Sequence, residues 1–584
     1  MSAGLSKMLS ETRLPPDLDA IEVIAAGYEG RGREALLPLL HELQAVAGWL
    51  PREAQQVAGA TLRVPLADVH GVVEFYSLFY NRPTARRVVR LCTDPACSLA
   101  GAADVDIALQ KALGVAAGET SADGRISYEH MTCLGMCELA PAGLNGERPA
   151  GHLSAEGAPA FLAGALPEPE ALVYGEPRWL TARVGTGAHA SLESYLAQGG
   201  YLGLRRALEM SPDALIEQIE ASGILGRGGA TFPLGRKWRL TRAAAGANKH
   251  IVVNADESEP GTFKDRVLLE EDPFAVVEAA SLAAYAVGAE RGWVFVRGEY
   301  PRAFARVAEA VRQARAAGLL GRNILGRAGF NFDIEMRLGA GAYICGEETA
   351  LFEAIEGRRG FPRIKPPFPV THGLFQQPTA INNVETLLAA LAYVNLGPEA
   401  WRKVGTADSP GSKLFCVSGH VGRPGLYEVP FGLTVADLLA RAGGVPSGRK
   451  LQALLLGGAA GILAGPEMLD LPLSCEVARA RNVPLGSGVI MAFDEAVDLR
   501  QVLYQLGRFF AHESCGKCFP CQLGTQRQLE LLGDLAHNGG FRASDAQSLA
   551  DVGYTMTQTS LCGLGQTAAS AVISAMRRWP EMFA

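Results

Sequence analysis

The stretch His250–Arg266 reads H-I-V-V-N-A-D-E-S-E-P-G-T-F-K-D-R, and it decides the fold class. Its first four residues form the short apolar run of a buried strand, and polar and acidic side chains follow immediately. In open α/β sheets, ligands bind beyond the carboxyl ends of the strands. Carboxylates there can accept hydrogen bonds from ribose or ribityl hydroxyls, although a solvated acidic face is the alternative. A binding site is therefore predicted at Asn254, Asp256, Glu257 and Glu259.

A glycine-rich stretch precedes this strand, since Gly226–Gly235 reads G-R-G-G-A-T-F-P-L-G. It nearly fits the dinucleotide-binding fingerprint, but Thr231 replaces the last glycine and no predicted strand precedes it, so the match is poor. The backbone amides of such a loop can approach a phosphate or a flavin, with Arg227 and Lys237 supplying positive charge. A plain structural loop is the alternative for this stretch alone.

Three stretches downstream combine close-approach glycines or prolines with amides, carboxylates, an aromatic ring or a lysine. Two further strands are predicted ahead of them, at Trp293–Val296 and Phe330–Met336. This composition is typical of a site for a flat heterocycle with polar edges. The stretches are Gly339–Ala350 (G-A-G-A-Y-I-C-G-E-E-T-A), Pro362–Pro369 (P-R-I-K-P-P-F-P) and Ile381–Thr386 (I-N-N-V-E-T).

A cysteine cluster lies near the end of the chain, where Glu513–Cys521 reads E-S-C-G-K-C-F-P-C. Cys515, Cys518 and Cys521 are spaced closely enough to bind one centre, as the C-x₂-C-x₂-C runs of bacterial ferredoxins do. A four-thiolate shell needs one more ligand, and Cys562 is the only cysteine that follows. An iron–sulfur cluster is favoured. The alternatives are inert thiols and zinc, which more often uses two paired C-x₂-C knuckles.

A second set of four cysteines lies upstream, directly after an apolar run that predicts a buried strand at Arg87–Leu91. Residues 98–132 separate its two pairs, which is enough for an intervening helix and strand. Four thiolates brought together by two loops are sufficient to hold a cluster. A zinc knuckle, or a thioredoxin-like scaffold without a cluster, is the alternative. The pairs are Cys92 with Cys97 and Cys133 with Cys137.

The bulk properties restrict the possible classes of protein. At 584 residues the chain is too long for one core, and about four domains are expected. A net charge of −7 without a sustained basic run gives little support to nucleic-acid binding. The N-terminus has no cleavage signal and the apolar stretches are short and interrupted, so a cytoplasmic protein without membrane insertion is expected. Eleven cysteines in that setting favour metal ligation over disulfides.

Together these motifs resemble those of a known family. Residues 30–165 resemble the 24 kDa, thioredoxin-like subunit of respiratory complex I, on G-V-V-E-F-Y-S-L-F and the four upstream cysteines. Residues 195–584 resemble the 51 kDa flavoprotein subunit of complex I, on the other motifs quoted above. Fusion of both in one chain is similar to the diaphorase flavoprotein subunit of soluble NAD-reducing nickel–iron hydrogenases. Bifurcating hydrogenases are disfavoured because no ferredoxin-type cysteine runs follow Cys562.

The resemblance implies a multidomain α/β and α+β fold.

Two local patterns help to divide the chain. Glu168–Arg178, rich in proline, glycine and charge, predicts part of a linker. Thr434, followed by Asp437, predicts a helix start with an acidic capping box. The expected regions are an N-terminal helical bundle (1–88), a thioredoxin-like 2Fe–2S domain (89–170), the linker (171–198), a Rossmann-like FMN- and NAD-binding domain (199–411), a ubiquitin-like β-grasp domain (412–490) and a C-terminal helical bundle with a 4Fe–4S cluster (491–584).

The resemblance also implies four cofactors: FMN, NAD, a 2Fe–2S cluster on the upstream cysteines and a 4Fe–4S cluster on the downstream ones. The implied FMN contacts are Gly226, Arg227, Gly228, Lys237, Asn254, Asp256, Glu257, Gly346, Glu347, Asn382, Asn383 and Thr386. The implied NAD contacts are Phe232, Glu259, Tyr343, Glu348, Lys365 and Phe368. Two positions depart from the family pattern. Thr231 stands where glycine is usual, and Leu240 where an aromatic residue commonly helps to hold adenine.

The function implied by the resemblance is electron exchange between NAD(H), FMN and the clusters, with hydrogen oxidation coupled to NAD⁺ reduction. The flavin carries the hydride chemistry, so no side chain is assigned as acid or base. The expected partners are a small iron–sulfur diaphorase subunit and a nickel–iron hydrogenase module, in a hetero-oligomer. A formate dehydrogenase or a fused complex I-type NADH dehydrogenase is the alternative within the class. A non-catalytic electron-transfer or assembly subunit and a zinc-stabilised scaffold are the alternatives outside it.

Overall fold

The fold begins with helices. The computed structural model describes residues 18–246, 248–538 and 540–584, so residues 1–17 of the predicted helical bundle lie outside the described residues. Leu36, Leu40 and Leu43 are fully buried along one helix, because their spacing places them on the same face. The helices of this region are α1 (Leu18–Ala26), α2 (Leu36–Ala47), α3 (Arg52–Leu62) and α4 (Leu66–Phe75).

The next region is a five-stranded sheet with the order β2-β3-β1-β4-β5. Its central pair, β1 and β3, is parallel, with Cys92 opposite Met131. The loops that carry the two upstream cysteine pairs therefore leave the same edge of the sheet. The strands are β1 (Arg87–Cys92), β2 (Glu119–Thr120), β3 (Ile126–Met131), β4 (Gly143–Asn145) and β5 (Arg148–Ala150), and the helices are α5 (Pro95–Leu99), α6 (Ala102–Leu113) and α7 (Ala158–Leu162).

The segment 171–198, predicted as a linker, is packed against the rest of the molecule. It contains the short strand β6 (Val173–Tyr174), which pairs with a strand of the third sheet, and the helix α8 (Leu192–Ala197). The backbone amides of residues 179–181 all donate to the buried carboxylate of Glu428, at 3.0–3.1 Å. The connection is therefore held in one place by a single acidic side chain from a distant strand.

The central region is an α/β domain whose four strands are all parallel, in the order β10-β7-β8-β9. The strand predicted at Phe330–Met336 begins later, at Asp333, because Phe332 forms an isolated bridge with Gly321. The strands are β7 (His250–Ala255), β8 (Arg291–Val296), β9 (Asp333–Leu338) and β10 (Thr379–Asn383). The helices are α9 (Leu202–Leu208), α10 (Pro212–Ala221), α11 (Leu234–Ala243), α12 (Lys264–Glu271), α13 (Pro273–Val287), α14 (Pro301–Ala316), α15 (Glu348–Ile355), α16 (Pro369–His372), α17 (Val384–Leu396) and α18 (Pro398–Arg402).

A third sheet follows, with the order β14-β13-β15-β11-β12-β6. The capping box predicted at Thr434 and Asp437 is present, since each residue's side chain accepts a hydrogen bond from the other's backbone N–H. The last strand of this sheet runs to Asp494, four residues past the predicted boundary at residue 490. The strands are β11 (Ser412–Gly419), β12 (Gly425–Pro430), β13 (Leu451–Leu456), β14 (Ile462–Ala464) and β15 (Val489–Asp494), with helices α19 (Val435–Arg441) and α20 (Cys475–Ala480).

The final region is helical and packs against the others. One continuous hydrophobic core reaches from Ile21 in the first helix through the central sheet to Phe583 at the end of the chain. Among the described residues, no helix is both long and apolar enough to cross a membrane. The helices are α21 (Leu499–Glu513), α22 (Phe519–Gly533), α23 (Ala543–Thr559), α24 (Gly563–Thr567) and α25 (Ser570–Arg578).

The contacts of Glu428 generate a stability prediction. Glu428→Gln replaces one acceptor oxygen with an amide that faces backbone N–H donors, so we expect the free energy of unfolding to fall by ~2–3 kcal/mol. Thermal unfolding should shift downward, and hydrogen exchange should accelerate at the amides of residues 179–181. Glu399→Gln is the matched control, because that side chain is 85% exposed. Unchanged exchange at residues 179–181 in Glu428→Gln would contradict the prediction.

Candidate functional site: a flavin cradle beside two thiol clusters

The four downstream cysteines surround one small cavity. Cys515 and Cys518 lie in the loop before α22, Cys521 lies in the first turn of α22, and Cys562 directly precedes α24. Together they line a small cavity whose wall also includes Ile344 from the central domain. Burial raises the pKa of Cys521 to about 11 and that of Cys562 to about 12. Without metal these thiols are therefore protonated, and metal binding must displace the protons.

The four upstream cysteines are all buried. The Sγ atoms of Cys133 and Cys137 are 3.3 Å apart, and the N–H of Gly135 donates to the Cys133 sulfur at 3.4 Å. Hydrogen bonds from Cys137 and Cys92 lower the pKa of Cys133 well below its usual range, and the positive charge of Arg297 acts in the same direction. The same hydrogen bonds raise the pKa of Cys92 and that of Cys137.

The two thiol sets differ from a simple metal-ion site. Within residues 18–246, 248–538 and 540–584, no group of three or more His, Cys, Asp or Glu side chains is placed to hold a single metal ion. Each set of four thiols is nevertheless confined to one small region. The donor chemistry of each set, four cysteine sulfur atoms, fits the Cys₄ shells that hold 2Fe–2S and 4Fe–4S clusters.

The strand ends of the central sheet bring the predicted flavin residues together. Asn383 at the end of β10 lies directly opposite Asn254 on β7 in the parallel register. The amide of Asn254 donates to the backbone oxygen of Gly346 at 2.8 Å. A Cβ atom added to Gly228 would lie 3.1 Å from Asn383, so the glycine-rich loop also approaches this edge closely. Four segments remote in sequence therefore meet in one cradle.

The cradle contains polar atoms that lack partners in the protein. The Asp256 Oδ2 and Asn382 Nδ2 atoms are buried without a hydrogen bond. Burial raises the pKa of Asp256 well above its usual range, and burial with the nearby Asp265 raises that of Glu257 to about 8. Buried polar groups without partners are costly, and the ribityl hydroxyls of a flavin both donate and accept hydrogen bonds. The residues present therefore fit FMN.

A buried charge cluster supports the rear of this cradle. Arg227 pairs with Glu385 at 3.2 Å, and its backbone N–H donates to the hydroxyl of Thr386 at 2.9 Å. Lys264 and Lys413 flank the same carboxylate, at 3.2 and 3.5 Å. Three cations thus surround Glu385 at the N-terminal end of α17, where the helix dipole also favours an anion. This is a suitable environment for the phosphate of FMN.

Lys237 and Glu347 are both held by the protein itself. The Lys237 Nζ donates to the backbone oxygen of Ile381 at 2.8 Å, and burial lowers the pKa of this lysine. The Glu347 carboxylate caps α15 by accepting two backbone N–H bonds, each 2.9 Å long. Lys365 bridges Glu347 and Glu348 at 2.8 and 2.7 Å. These contacts place both charges next to the cradle in fixed positions.

The residues implied for NAD are arranged less uniformly. Phe232 and Phe368 are 39% and 55% exposed, so their rings are accessible to a planar ligand. Tyr343 packs edge-on against Phe509 of α21. Glu259 is held instead by the third-sheet region, where it accepts from the Ala460 N–H at 2.9 Å and from a serine hydroxyl at 2.8 Å. These contacts were not anticipated from the sequence.

Two arginines without a predicted role join the upstream cysteine loops to the cradle. Arg266 donates to the backbone oxygen of Gly135 at 2.8 Å and pairs with Glu138. Arg297, which directly follows β8, contacts both the upstream cysteine loop, at Cys133, and the loop that follows β7, at Glu257, here called the flavin loop. The only sequence signal was their position, one at the end of a polar motif and the other directly after a predicted strand.

Comparisons with known proteins agree with this arrangement. Four family models match the chain: a thioredoxin-like 2Fe-2S ferredoxin at residues 21–165, a Nuo51 FMN-binding domain at 219–392, an SLBB domain at 414–467 and an NADH-ubiquinone oxidoreductase-F iron-sulfur binding region at 501–584. The SLBB match confirms the predicted β-grasp-like module, and the other three confirm the predicted FMN, 2Fe–2S and 4Fe–4S domains.

The chain is also similar to whole proteins, both in sequence and in structure. The NAD-reducing hydrogenase HoxS subunit alpha of Cupriavidus necator is 34% identical over 94% of this chain and 92% of its own length. The F subunit of the NADH-quinone oxidoreductase of Streptomyces coelicolor is 43% identical over 67% of this chain and 87% of its own. A crystal structure of an NAD⁺-reducing NiFe hydrogenase in the H₂-reduced state superposes with a TM-score of 0.83, at 33% identity over 95% of this chain and 92% of that one.

The fold and the site define a class: flavin- and iron–sulfur-containing, NAD-dependent oxidoreductases. Within that class, the chain belongs to the family that includes the F subunits of NADH-quinone oxidoreductases and the alpha subunit of the NAD-reducing hydrogenase. It spans nearly the whole length of the hydrogenase subunit, including the 2Fe–2S region that precedes the flavin domain.

The glycine-rich loop generates a prediction at Thr231. This residue has φ of 49°, in the left-handed region that disfavours a β-branched side chain, where the family pattern has glycine. Glycine adopts this backbone conformation without strain, whereas alanine does not. The strain energy that glycine removes is larger than the free-energy cost of its greater entropy in the unfolded chain, so we expect Thr231→Gly to be more stable than Thr231→Ala by ~1 kcal/mol. Denaturant unfolding of the two variants measures the difference. Equal stability would show that the left-handed backbone carries no cost at this position.

The Asp256 carboxyl, whose Oδ2 atom has no hydrogen-bond partner in the protein, generates a second prediction. Asp256→Ala removes a buried oxygen without a protein partner, so we expect the free energy of unfolding of the apoprotein to rise by ~1 kcal/mol while the affinity for FMN falls by roughly 10- to 100-fold. Thermal unfolding of the apoprotein and fluorescence titration with FMN measure the two effects. Asp408→Ala, at an exposed turn, is the control. Unchanged FMN affinity together with a less stable apoprotein would exclude a flavin contact at Asp256.

Proposed function

We propose that this chain is the diaphorase flavoprotein subunit of an NAD-reducing nickel–iron hydrogenase. In that role it exchanges electrons between NAD(H), FMN and iron–sulfur clusters, and couples the oxidation of hydrogen to the reduction of NAD⁺. We propose that the FMN, NAD and cluster contacts are the residues given by the family resemblance. The division of the chain at residues 88, 170, 198, 411 and 490 is likewise part of the proposal.

One observation carries the electron-transfer function. The loop around residues 343–348 borders both the flavin cradle and the downstream thiol cavity, since Gly346 contacts Asn254 while Ile344 lines the cavity. These two loop residues are separated by at most about 7 Å of backbone. The backbone N–H of Tyr343 also donates to Glu513 at 2.9 Å, which fixes the loop to the helix that leads into the cysteines. A flavin and a cluster bound there would be neighbours.

The chain's own residues position the reactants. Bound in the cradle, FMN would supply exchange of a hydride with NAD(H) and of single electrons with the clusters. The exposed rings of Phe232 and Phe368 can stack against a planar base, and Lys365 is held in place by its pairs with Glu347 and Glu348. No side chain is assigned as a proton donor or acceptor toward the nicotinamide, because bound FMN would itself supply the hydride chemistry.

The choice of hydrogenase rests on the extent of the match. The hydrogenase subunit alpha of Cupriavidus necator aligns with 94% of the chain, whereas the Streptomyces coelicolor NADH-quinone oxidoreductase protein aligns with 67%. The second relative is more similar within its shared part, at 43% identity, so an NADH dehydrogenase is the second candidate. Copurification decides between them: a nickel-containing partner supports the hydrogenase, and membrane subunits or a molybdenum enzyme would exclude it.

The partners and the compartment follow from the same proposal. We place a small iron–sulfur subunit and a nickel–iron module beside this chain in a hetero-oligomer. We also place the complex in the cytoplasm, because reduced thiols such as the eight proposed ligands persist in reducing compartments. A non-catalytic electron-transfer subunit is the rival from another class. It predicts purified protein without a flavin absorbance band, whereas our proposal requires that band.

The proposed route gives a prediction at Cys518. In Cys518→Ser, NADH-driven reduction of bound flavin should persist, while transfer to a one-electron acceptor that docks near the cluster should fall at least ~100-fold. Stopped-flow absorbance follows the flavin, and steady-state reduction of the acceptor follows the transfer. Cys475→Ser is the matched control, since this partly exposed thiol belongs to neither proposed ligand set. Undiminished transfer in Cys518→Ser would exclude the downstream cluster from the route.

A further inference from the structure

A fully buried arginine lies between the upstream cysteine loop and the flavin loop. Arg297 directly follows β8, and its side chain is 2% exposed. Its guanidinium donates to the backbone oxygen of Cys133 at 2.8 Å through one terminal nitrogen, and to the backbone oxygen of Glu257 at 2.7 Å through the other. The rigid guanidinium therefore joins Cys133, a proposed 2Fe–2S ligand, to Glu257, a proposed FMN contact 124 positions further along the chain.

A neighbouring tyrosine closes the same contact. The Tyr300 hydroxyl donates toward the backbone oxygen of Glu257 at 3.2 Å, and the Arg297 guanidinium lies 4.9 Å from the centre of its ring. A Cβ atom added at Gly135 would lie only 1.8 Å from this hydroxyl. The glycine between Cys133 and Cys137 is therefore required for the loop to approach the tyrosine. Close packing on both sides leaves Arg297 little freedom to move.

The charge of Arg297 is only partly compensated at the cysteine loop. Its ion-pair partner is Glu299, whose carboxylate lies 3.1 Å from the guanidinium and is also buried. The guanidinium contacts Cys133 itself, whereas Glu299 is joined to that loop through the arginine. Buried charges act in a low dielectric, so Arg297 contributes more than Glu299 to the field at Cys133. The buried Asp94 carboxyl also accepts from the Cys133 N–H at 2.9 Å, and burial raises its pKa to about 7, which reduces the negative charge that opposes Arg297. A positive charge there favours a cofactor state that carries an additional electron.

A second arginine provides an internal comparison. Arg508 of α21 also donates to a backbone oxygen of the upstream cysteine loops, that of Thr93, at 3.3 Å, and pairs with Asp94 at 3.7 Å. Its side chain is 40% exposed, so water and salt screen its charge. The two arginines make the same type of contact with one cluster region, but they differ in burial and in their ion-pair partners, since the Asp94 carboxylate also accepts from the Cys133 N–H at 2.9 Å.

We propose that Arg297 is a positioning residue that raises the reduction potential of the 2Fe–2S centre and couples that centre to the flavin site through the Glu257 carbonyl. Its positive charge stabilises the reduced cluster, and its planar fork fixes the distance between the two loops. The proposal rests on the 2Fe–2S ligand assignment given above. It is independent of which enzyme complex the chain serves.

The test is an EPR-monitored redox titration of the purified full-length chain, loaded with FMN and both clusters. In Arg297→Gln, we expect the ratio of reduced to oxidised 2Fe–2S cluster at a fixed solution potential to fall about ten-fold. For a one-electron couple, this corresponds to a reduction potential lower by about 59 mV. Glu299→Gln should shift the ratio in the opposite direction, because it leaves the arginine charge uncompensated. The 4Fe–4S signal of the same samples should not move and serves as the internal reference.

Two further variants separate charge from geometry. Arg508→Gln should change the ratio less than about two-fold, because its charge is screened. Arg297→Lys keeps the charge but not the fork, so it should retain the cluster potential while binding FMN about ten-fold more weakly. Equal shifts in Arg297→Gln and Arg508→Gln, a fall in Glu299→Gln, or wild-type FMN affinity in Arg297→Lys would each overturn the proposal. None of these readouts uses NAD(H) or a partner, so failure of the proposed hydrogenase function leaves them unaffected.

Discussion

The parallel hydrogen bonding between β7 and β10 is the constraint on which the rest of the site depends. It places Asn254 beside Asn383, and so it aligns the ends of two loops that are more than one hundred residues apart in the chain. The glycine-rich loop and the Gly346 loop can then close over the same edge. If this register slipped by one residue, alternate side chains would turn to the opposite face of the sheet and the cradle would not form.

Much of this could be predicted from the sequence, because the decisive signals are local. The apolar run before Asn254 predicts a strand and its ligand-binding end. Thr434 and Asp437 predict a capped helix from a span of only four residues. The spacing of the cysteines is likewise a local signal, because it indicates a metal-binding site from a few neighbouring residues. The residues alone indicated two iron–sulfur sites and a site for a flat heterocycle. The family resemblance added the identities of FMN and NAD, the type of each cluster and the β-grasp module.

The contacts between regions could not be predicted in this way. Arg297 and Cys133 are 164 positions apart, and Glu428 and Leu180 are 248 apart, so no periodic pattern connects them. A buried arginine has the same sequence signature as a surface arginine until the fold shows what surrounds it. Glu259 illustrates the same limit, since its carboxylate is satisfied by backbone and hydroxyl groups of the third-sheet region rather than by its own domain.

The packed connection at residues 171–198 has a consequence for how the protein is made. Because β6 completes the edge of the third sheet, the two halves of the molecule are interlocked and not merely tethered. Synthesis as one polypeptide then fixes the ratio of the 2Fe–2S region to the flavin region at one to one, and no encounter between separate chains is needed. The third sheet needs β6, which follows the 2Fe–2S region in the chain. The third sheet is therefore completed only after the 2Fe–2S region has left the ribosome, so the order of the chain also sets the order of assembly.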